Sequence, residues 1–182
     1  MSAEEEEKRL AAAEESKQEG NQLYGAGEYE DAVDKYTDAL EAAPERAKQR
    51  AVYFANRAAC HLKLRQFAQA ARDCSAAIDL DPTYLKAWLR RCTAYGELDD
   101  LDRALADASK IVELDPGNAG AVATVRRLTP IVEERREKMK EEMIGKLKEL
   151  GNTVLGKFGM SLDNFKAEKD PATGSYSINF KQ

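Results

Sequence analysis

The feature that most constrains this chain is a pattern of about 34 residues that occurs three times. The second halves of the three copies are EYEDAVDKYTDALEAAP, QFAQAARDCSAAIDLDP and DLDRALADASKIVELDP. The alanines at 32, 70 and 104 are separated by 38 and then 34 residues, and the prolines at 44, 82 and 116 repeat both intervals. Apolar residues at helical spacing around small residues indicate paired amphipathic helices. One pair cannot bury its apolar face alone, whereas stacked pairs can. The pattern therefore predicts an all-α solenoid of three helix-turn-helix repeats.

The repeat boundaries divide the chain into three parts. We expect an acidic, solvated leader over residues 1–12, disordered in preference to the alternative of a frayed helix extension. A repeat domain should cover 13–128, and a charged helical extension with a tail should cover 129–182. The repeats should cover about 13–46, 51–84 and 85–118, followed by a capping helix over 118–128 that covers the last apolar surface. The extra four residues of the first interval are assigned to Glu45–Arg50, as one more turn at the start of the next helix. Thr129-Pro130 should interrupt or restart the helix.

The segment after Pro130 has a different pattern. Its residues are mostly charged, with a narrow apolar seam of Ile131, Val132, Met139, Met143, Leu147 and Leu150. Further on, Tyr176, Ile178 and Phe180 alternate with polar residues after a PATG turn sequence, which predicts a small terminal hairpin.

Composition excludes several classes of function. The net charge of -5 argues against general binding of nucleic acids or membrane surfaces, which favours basic chains. No apolar run approaches the roughly 18–20 residues of a membrane span. Three widely spaced cysteines on apolar helix faces favour reduced thiols, hence a cytoplasmic protein, with the nucleus possible.

No constellation for catalysis is recognisable. The single histidine, His61, lies in a repeat helix, and packing explains it better than base chemistry. The cysteines lack metal-ligand spacing, and the glycines lack a following Gly-Lys-Ser/Thr. We therefore expect a non-enzymatic protein with no catalytic residue, cofactor or metal.

Polar residues on the first helix of each repeat are more informative. Lys17 and Asn21 are four residues apart, as are Lys86 and Arg90, so each pair shares a helix face. In the second repeat, Asn56, Ala59 and Lys63 share a face in the same way. Superposing the repeats places these side chains along one concave groove. Such a set of cations and amides, converging within an acidic protein, predicts a ligand with clustered carboxylates.

These repeats resemble the tetratricopeptide repeat (TPR) domains of cytosolic co-chaperones, over roughly residues 13–128. Those domains hold the C-terminal Glu-Glu-Val-Asp tail of heat-shock chaperones in a carboxylate clamp. The resemblance implies that Lys17, Asn21, Asn56 and Lys86 hold the terminal aspartate of such a tail. It also implies that Arg90 and Lys63 bind upstream groups, and that apolar contacts come from Tyr24, Ala59 and Leu89. The sequences EERREKMKEEMIGKLKELGN and GSYSINF further resemble the C-terminal extension of the tetratricopeptide repeat protein 1 group.

An alternative function places the working surface in residues 130–182. The chain would then be a scaffold whose seam binds a client or a signalling protein, such as a GTPase subunit, while the groove is secondary. Titrating the chaperone-tail peptide into groove variants, and separately into a chain that lacks residues 130–182, distinguishes the two functions.

Overall fold

The computed structural model describes residues 2–162 and the two strands at 165–169 and 176–180. Six helices form three antiparallel pairs, and a long seventh helix follows. Their bounds are Ala3–Ala26 (α1), Tyr29–Ala42 (α2), Arg50–Lys63 (α3), Phe67–Leu80 (α4), Leu85–Glu97 (α5), Leu101–Leu114 (α6) and Ala119–Gly156 (α7). The predicted solenoid of three two-helix repeats is confirmed.

Each second helix ends where the repeated proline predicts. Helices α2, α4 and α6 stop two residues before Pro44, Pro82 and Pro116. The residue that precedes each proline lies outside the α region, with ψ angles of 141°, 94° and 85°, because the proline ring disfavours that region for its neighbour.

A left-handed residue reverses the chain between the two helices of every repeat. Gly27, Arg65 and Asp99 have φ angles of 86°, 57° and 56°, and they are spaced by the same 38 and 34 residues as the repeats. The next backbone N–H in each turn reaches back five residues to a carbonyl, as in Gln66 to His61 at 2.8 Å. This geometry satisfies the free carbonyls at the end of each first helix.

Small residues allow the helices of the core to approach closely. Ala32, Ala70 and Ala104 are all at most 1% exposed. Gly20 of α1 lies so close to Tyr36 of α2 that an added Cβ would be 2.9 Å from the tyrosine ring. The core around Ala104 also includes Leu128 of α7, which is 1% exposed. The start of α7 therefore covers the third repeat, although Val122 of the predicted capping face is exposed.

The extra residues of the first interval do not lengthen a helix. Residues 45–49 form turns, and α3 begins only at Arg50. Arg50 donates from Nη1 to the carbonyls of Leu40 and Ala43, and therefore satisfies the end of α2 across the connection. The prediction of an extra turn on α3 was wrong because periodicity gives the length of an insertion and not its conformation.

The leader is helical where we expected disorder. Helix α1 begins at Ala3, and Ser2 caps it by accepting the backbone N–H of Glu5 at 3.2 Å. Arg9 donates from Nε to the carbonyl of Ala42 at 2.8 Å and so links the leader to the end of α2. Glutamates in the first turn also complement the helix dipole. The side chains of residues 2–7 are nevertheless exposed, as the acidic composition predicts.

Pro130 does not interrupt α7. The helix continues through it to Gly156, with Leu128 and Val132 buried on either side. Pro130 has no backbone N–H to donate within the helix. The preceding residue, Thr129, donates its hydroxyl to the carbonyl of Val125 at 2.8 Å. Burial of the flanking residues explains why the helix tolerates the proline.

The chain divides into two compact units, Met1–Val132 and Glu133–Gln182, and the boundary falls within α7. In the second unit, Met139, Met143, Leu147 and Leu150 are exposed. Val132, which we assigned to the same seam, is fully buried in the first unit. The second unit also contains the predicted hairpin: strands Phe165–Lys169 (β1) and Tyr176–Phe180 (β2) pair antiparallel, with Ala167 opposite Ile178.

Candidate functional site

Three first helices carry the residues that the sequence assigns to a binding groove. Lys17, Asn21 and Tyr24 lie on α1, Asn56, Ala59 and Lys63 on α3, and Lys86, Leu89 and Arg90 on α5. A small cavity of about 80 Å³ forms where these helices meet. Five of the nine predicted residues line it together with Tyr36, namely Asn21, Tyr24, Asn56, Ala59 and Arg90.

A hydrogen-bond network orients the amide of Asn21. Its Oδ1 accepts the hydroxyl of Tyr36 at 2.7 Å and the Nδ2 amide of Asn56 at 3.3 Å. Burial raises the pKa of the Tyr36 hydroxyl to about 12, so this group is protonated and donates at neutral pH. With Oδ1 occupied by two donors, the Nδ2 group of Asn21 remains as a donor for a ligand. The network therefore leaves amide N–H groups as donors at the cavity, and such donors are chemically suited to an oxygen anion.

Arg90 adds a positive charge at a fixed place. One of its Nη1 hydrogens is donated to the carbonyl of Ala55 at 2.6 Å, which ties the guanidinium of α5 to the backbone of α3. Arginine carries five donors, so others remain for a ligand in the cavity. The site combines two amides and one guanidinium, which suits the recognition of a carboxylate.

The three predicted lysines do not line this cavity. Lys63 and Lys86 are exposed on α3 and α5. Lys17 is half-buried, and its ammonium group forms a hydrogen-bonded ion pair with Glu14 one turn earlier. This bond lowers the pKa of the Glu14 carboxyl, so a carboxylate already neutralises Lys17 within the protein.

Two bidentate ion pairs hold the later repeats together, and the sequence interpretation missed them. In repeat two, Arg57 donates from Nε and Nη2 to the two carboxylate oxygens of Asp73, both at 2.8 Å. In repeat three, Arg91 makes the same contacts with Asp107 at 2.9 and 2.8 Å. Asp73 and Asp107 are 7% and 3% exposed. The 34-residue spacing of both partners was a usable signal for these pairs.

The same arginines also connect successive repeats. Arg57 donates from Nη1 to the hydroxyl of Thr37 on α2, and Arg91 to that of Ser75 on α4, both at 3.0 Å. The first repeat carries the pair with its charges reversed. There Glu19 and Lys35 form an exposed ion pair at 2.6 Å.

No sequence signal distinguished Tyr36 as a polar member of the groove site, because tyrosine also fits an apolar helix position.

Larger cavities occur elsewhere on the surface. One of about 680 Å³ lies between the start of α1 and the α2–α3 connection. Arg9 and Arg50 line it, but both donate to carbonyls at the end of α2. Their hydrogen bonds explain this cavity as a by-product of helix capping.

The described residues 2–162, 165–169 and 176–180 offer little for catalysis or metal binding. Within that part of the chain, no group of three histidine, cysteine or acidic side chains could hold a metal ion. The Nδ1 atom of His61 lies 2.7 Å from Oε1 of Gln66, which agrees with a packed histidine. Burial raises the pKa of the Cys60 thiol to about 11, so it is a poor nucleophile at neutral pH. Of the helices in the described ranges, none is long and apolar enough to cross a membrane.

Comparison with known proteins shows which family has this architecture. The first TPR of Spaghetti (RPAP3), solved bound to the HSP90 peptide SRMEEVD, is 31% identical, with a TM-score of 0.62 over 68% of this chain and 95% of that one. The second TPR domain of human RPAP3, solved in complex with the HSP70 peptide SGPTIEEVD, is 34% identical, with a TM-score of 0.58 over 67% of this chain and 96% of that one. No family model matches the chain.

The chain is therefore a helical-repeat protein with a donor-lined groove, and it belongs to the TPR domain family. Protein unc-45 homolog B from Xenopus tropicalis is also similar, with 39% identity over 119 residues, or 65% of this chain. The matched part spans only 13% of that relative's length.

Proposed function

We propose that this protein is a non-catalytic adaptor that binds the acidic C-terminal tail of a cytosolic heat-shock chaperone, of the Glu-Glu-Val-Asp type. The observation that carries the proposal is the cavity in which Asn21, Asn56 and Arg90 converge as donors. Two similar TPR domains are bound to peptides that end in EEVD. Such a partner is cytoplasmic, in agreement with the free thiols of all three cysteines.

Each residue of the groove has a role in this proposal. Asn21 and Asn56 bind the terminal aspartate, together with Lys17 from α1 and Lys86 from α5. These groups supply both amide and ammonium donors, so that two carboxylates can be held without the repulsion of four packed cations. Arg90 and Lys63 bind carbonyls or side chains further upstream. The apolar surface for the intervening side chains comes from Tyr24, Ala59 and Leu89.

Binding requires an exchange of partners at Lys17. In the free protein this ammonium is paired with Glu14. The incoming carboxylate replaces Glu14, which turns outward to water. At Lys17 the ligand therefore gains only the free-energy difference between two ion pairs. Lys86 is exposed and forms an additional ion pair with the ligand.

The test is a titration of a labelled peptide that ends in Glu-Glu-Val-Asp, followed by fluorescence anisotropy. Lys86→Ala and Arg90→Ala should each weaken binding at least about tenfold, because each removes a charge that faces the ligand. Lys110→Ala is the matched control, since this lysine pairs with Glu113 on the exposed side of α6. Rising salt should weaken wild-type binding.

A second peptide with an amidated C-terminus tests the anchor itself. It should bind much more weakly than the free acid, because one of the two terminal carboxylates is lost. Equal affinity for both peptides, or unchanged affinity in the Lys86→Ala/Arg90→Ala double variant, contradicts the proposal.

We also infer that the chain is a member of the tetratricopeptide repeat protein 1 group. The support is the sequence of Glu133–Asn152 and the GSYSINF segment. The groove proposal does not depend on this assignment.

A further inference from the structure

The second unit exposes an unusual apolar surface on α7. Five side chains form what we call the α7 stripe: Met139, Met143, Leu147, Leu150 and Val154. They are 54% to 65% exposed, and their spacing along the chain is four, four, three and four residues. This spacing keeps them on one face of a nearly straight helix, over about 22 Å or four turns.

The returning chain covers a different side of the helix. After α7, the backbone turns at Gly159, where φ is 70°. Leu162 then packs against Gly151 and donates its backbone N–H to the side chain of Asn152 at 2.6 Å. Gly151 lies about 80° around the helix from the centre of the α7 stripe. This contact therefore leaves the stripe open.

Cations flank the α7 stripe on both edges. Lys140 and Lys146 are exposed, and each lies about 60° from its centre, on opposite sides. Within the length of the stripe, the glutamates at 141, 142 and 149 lie about 100–160° away. The helix thus presents an apolar seam with a lysine on each edge. Lys140 also forms an ion pair with Glu137 at 3.5 Å, just before the stripe. Because both side chains are exposed, this pair is weak and leaves Lys140 available to a partner.

We propose that the α7 stripe is a docking surface for an amphipathic helix of a partner protein, with acidic side chains on both edges of the partner's own apolar seam. The stripe is only about 80° wide, which is the width of a two-helix seam and narrower than the face of a helix that lies in a bilayer. Acidic edges on the partner meet the cations at Lys140 and Lys146 and favour this pairing through charge complementarity.

Charge also distinguishes this partner from a second copy of the chain. In an antiparallel pair of identical helices, each edge meets the same edge of the other copy, so the row of Lys146 faces itself. In a parallel pair, the row of Lys146 faces the row of Lys140. Each edge carries a lysine and no glutamate, so neither arrangement gives these lysines an acidic partner, and self-association gains no charge complementarity through this face.

The experiment uses the full chain and two synthetic helical peptides with amidated C-termini. Both peptides carry the same leucine stripe at four-four-three spacing, but one has glutamates along its edges and the other has lysines. The glutamate-edged peptide should bind about tenfold more tightly. The Lys140→Glu/Lys146→Glu variant should reverse this preference. The control variant, Lys138→Glu/Lys148→Glu, changes the net charge equally on the opposite face and should keep it.

Four outcomes overturn the proposal. The first is equal affinity for the two peptides, and the second is a preference that survives in Lys140→Glu/Lys146→Glu. The third is stronger binding to phosphatidylserine–phosphatidylcholine vesicles than to either peptide, which identifies a lipid surface. The fourth is a concentration-dependent dimer in sedimentation that Leu147→Glu abolishes, which identifies a second copy. All substituted residues are exposed, and far-UV circular dichroism verifies that each variant is folded.

Discussion

The ion pair that recurs between the two helices of each repeat should contribute very unequally to stability. Asp107 is 3% exposed and accepts two hydrogen bonds from Arg91, whose side chain is 17% exposed. In Asp107→Asn the guanidinium keeps the Ser75 hydroxyl but loses its counter-charge. Breaking one side of a buried pair costs about 3–5 kcal/mol, because the other charge stays buried. Asparagine retains one acceptor oxygen, so we expect a loss of about 3 kcal/mol.

Breaking the equivalent ion pair in repeat two should reduce the free energy of unfolding somewhat less. Arg57 and Asp73 have the same bidentate geometry, but their side chains are 20% and 10% exposed. Water can therefore solvate part of the charge that Asp73→Asn leaves behind. We expect about 2 kcal/mol for this variant, which is a measurable fraction of the stability of a small domain.

The first repeat supplies the matched control. Lys35 and Glu19 occupy the same positions with reversed charges, but their side chains are 39% and 47% exposed. Water and salt screen such a pair, so Lys35→Gln should leave stability nearly unchanged.

Urea unfolding followed by far-UV circular dichroism measures all three variants. The free energies of unfolding are compared between variants that have the same slope of free energy against urea concentration. A changed slope signals that the repeats no longer unfold together. The expected order of loss is Asp107→Asn, then Asp73→Asn, then Lys35→Gln. If the exposed Lys35→Gln variant loses as much free energy of unfolding as Asp107→Asn, burial does not determine the contribution of the ion pair and the reasoning is refuted.

Three further predictions follow from the groove and the core. Glu14→Gln should tighten binding of a Glu-Glu-Val-Asp peptide about threefold, because Lys17 no longer has a competing carboxylate; weaker binding in the titration contradicts this. Tyr36→Phe should weaken the same peptide about fivefold by releasing the Asn21 amide, with only a small change in urea midpoint; an unchanged affinity shows that the hydroxyl does not orient the site. Native thiols should resist alkylation at about pH 8 and react fully in denaturant, since burial raises the pKa values of Cys60, Cys74 and Cys92 to about 11, 12 and 11; rapid native labelling of Cys60 or Cys74, which are fully buried, contradicts this, whereas Cys92 is half-buried.

The repeat architecture was predictable because it depends on periodic properties. Small residues at Ala32, Ala70 and Ala104 and the prolines that follow each second helix recur at fixed intervals, and the structure places them as expected. The family of the fold was accessible for the same reason. Periodicity reports which face of a helix is apolar, and that information suffices for a solenoid.

The sequence predictions were wrong where one local sequence pattern is compatible with two backbone structures. Residues 45–49 could extend a helix or form turns, and the choice depends on Arg50, which reaches the end of α2. The helix passes through Pro130 because tertiary burial at Leu128 and Val132 outweighs the missing hydrogen bond. The contact of the Tyr36 hydroxyl with Asn21 has no local sequence signal, because it joins two helices and neither residue repeats in the later copies.

Adjacent residues on the first helices face different parts of the structure. Arg90 and Arg91 are neighbours on α5, yet a helix turns about 100° between them. Arg90 therefore lines the groove cavity, whereas Arg91 points to Asp107 and the preceding repeat. Asn56 and Arg57 divide in the same way on α3. Because buried aspartates hold the structural arginines, the exposed cations Lys63 and Lys86 can vary without loosening the stack, whereas Arg90 also anchors α5 to the carbonyl of Ala55.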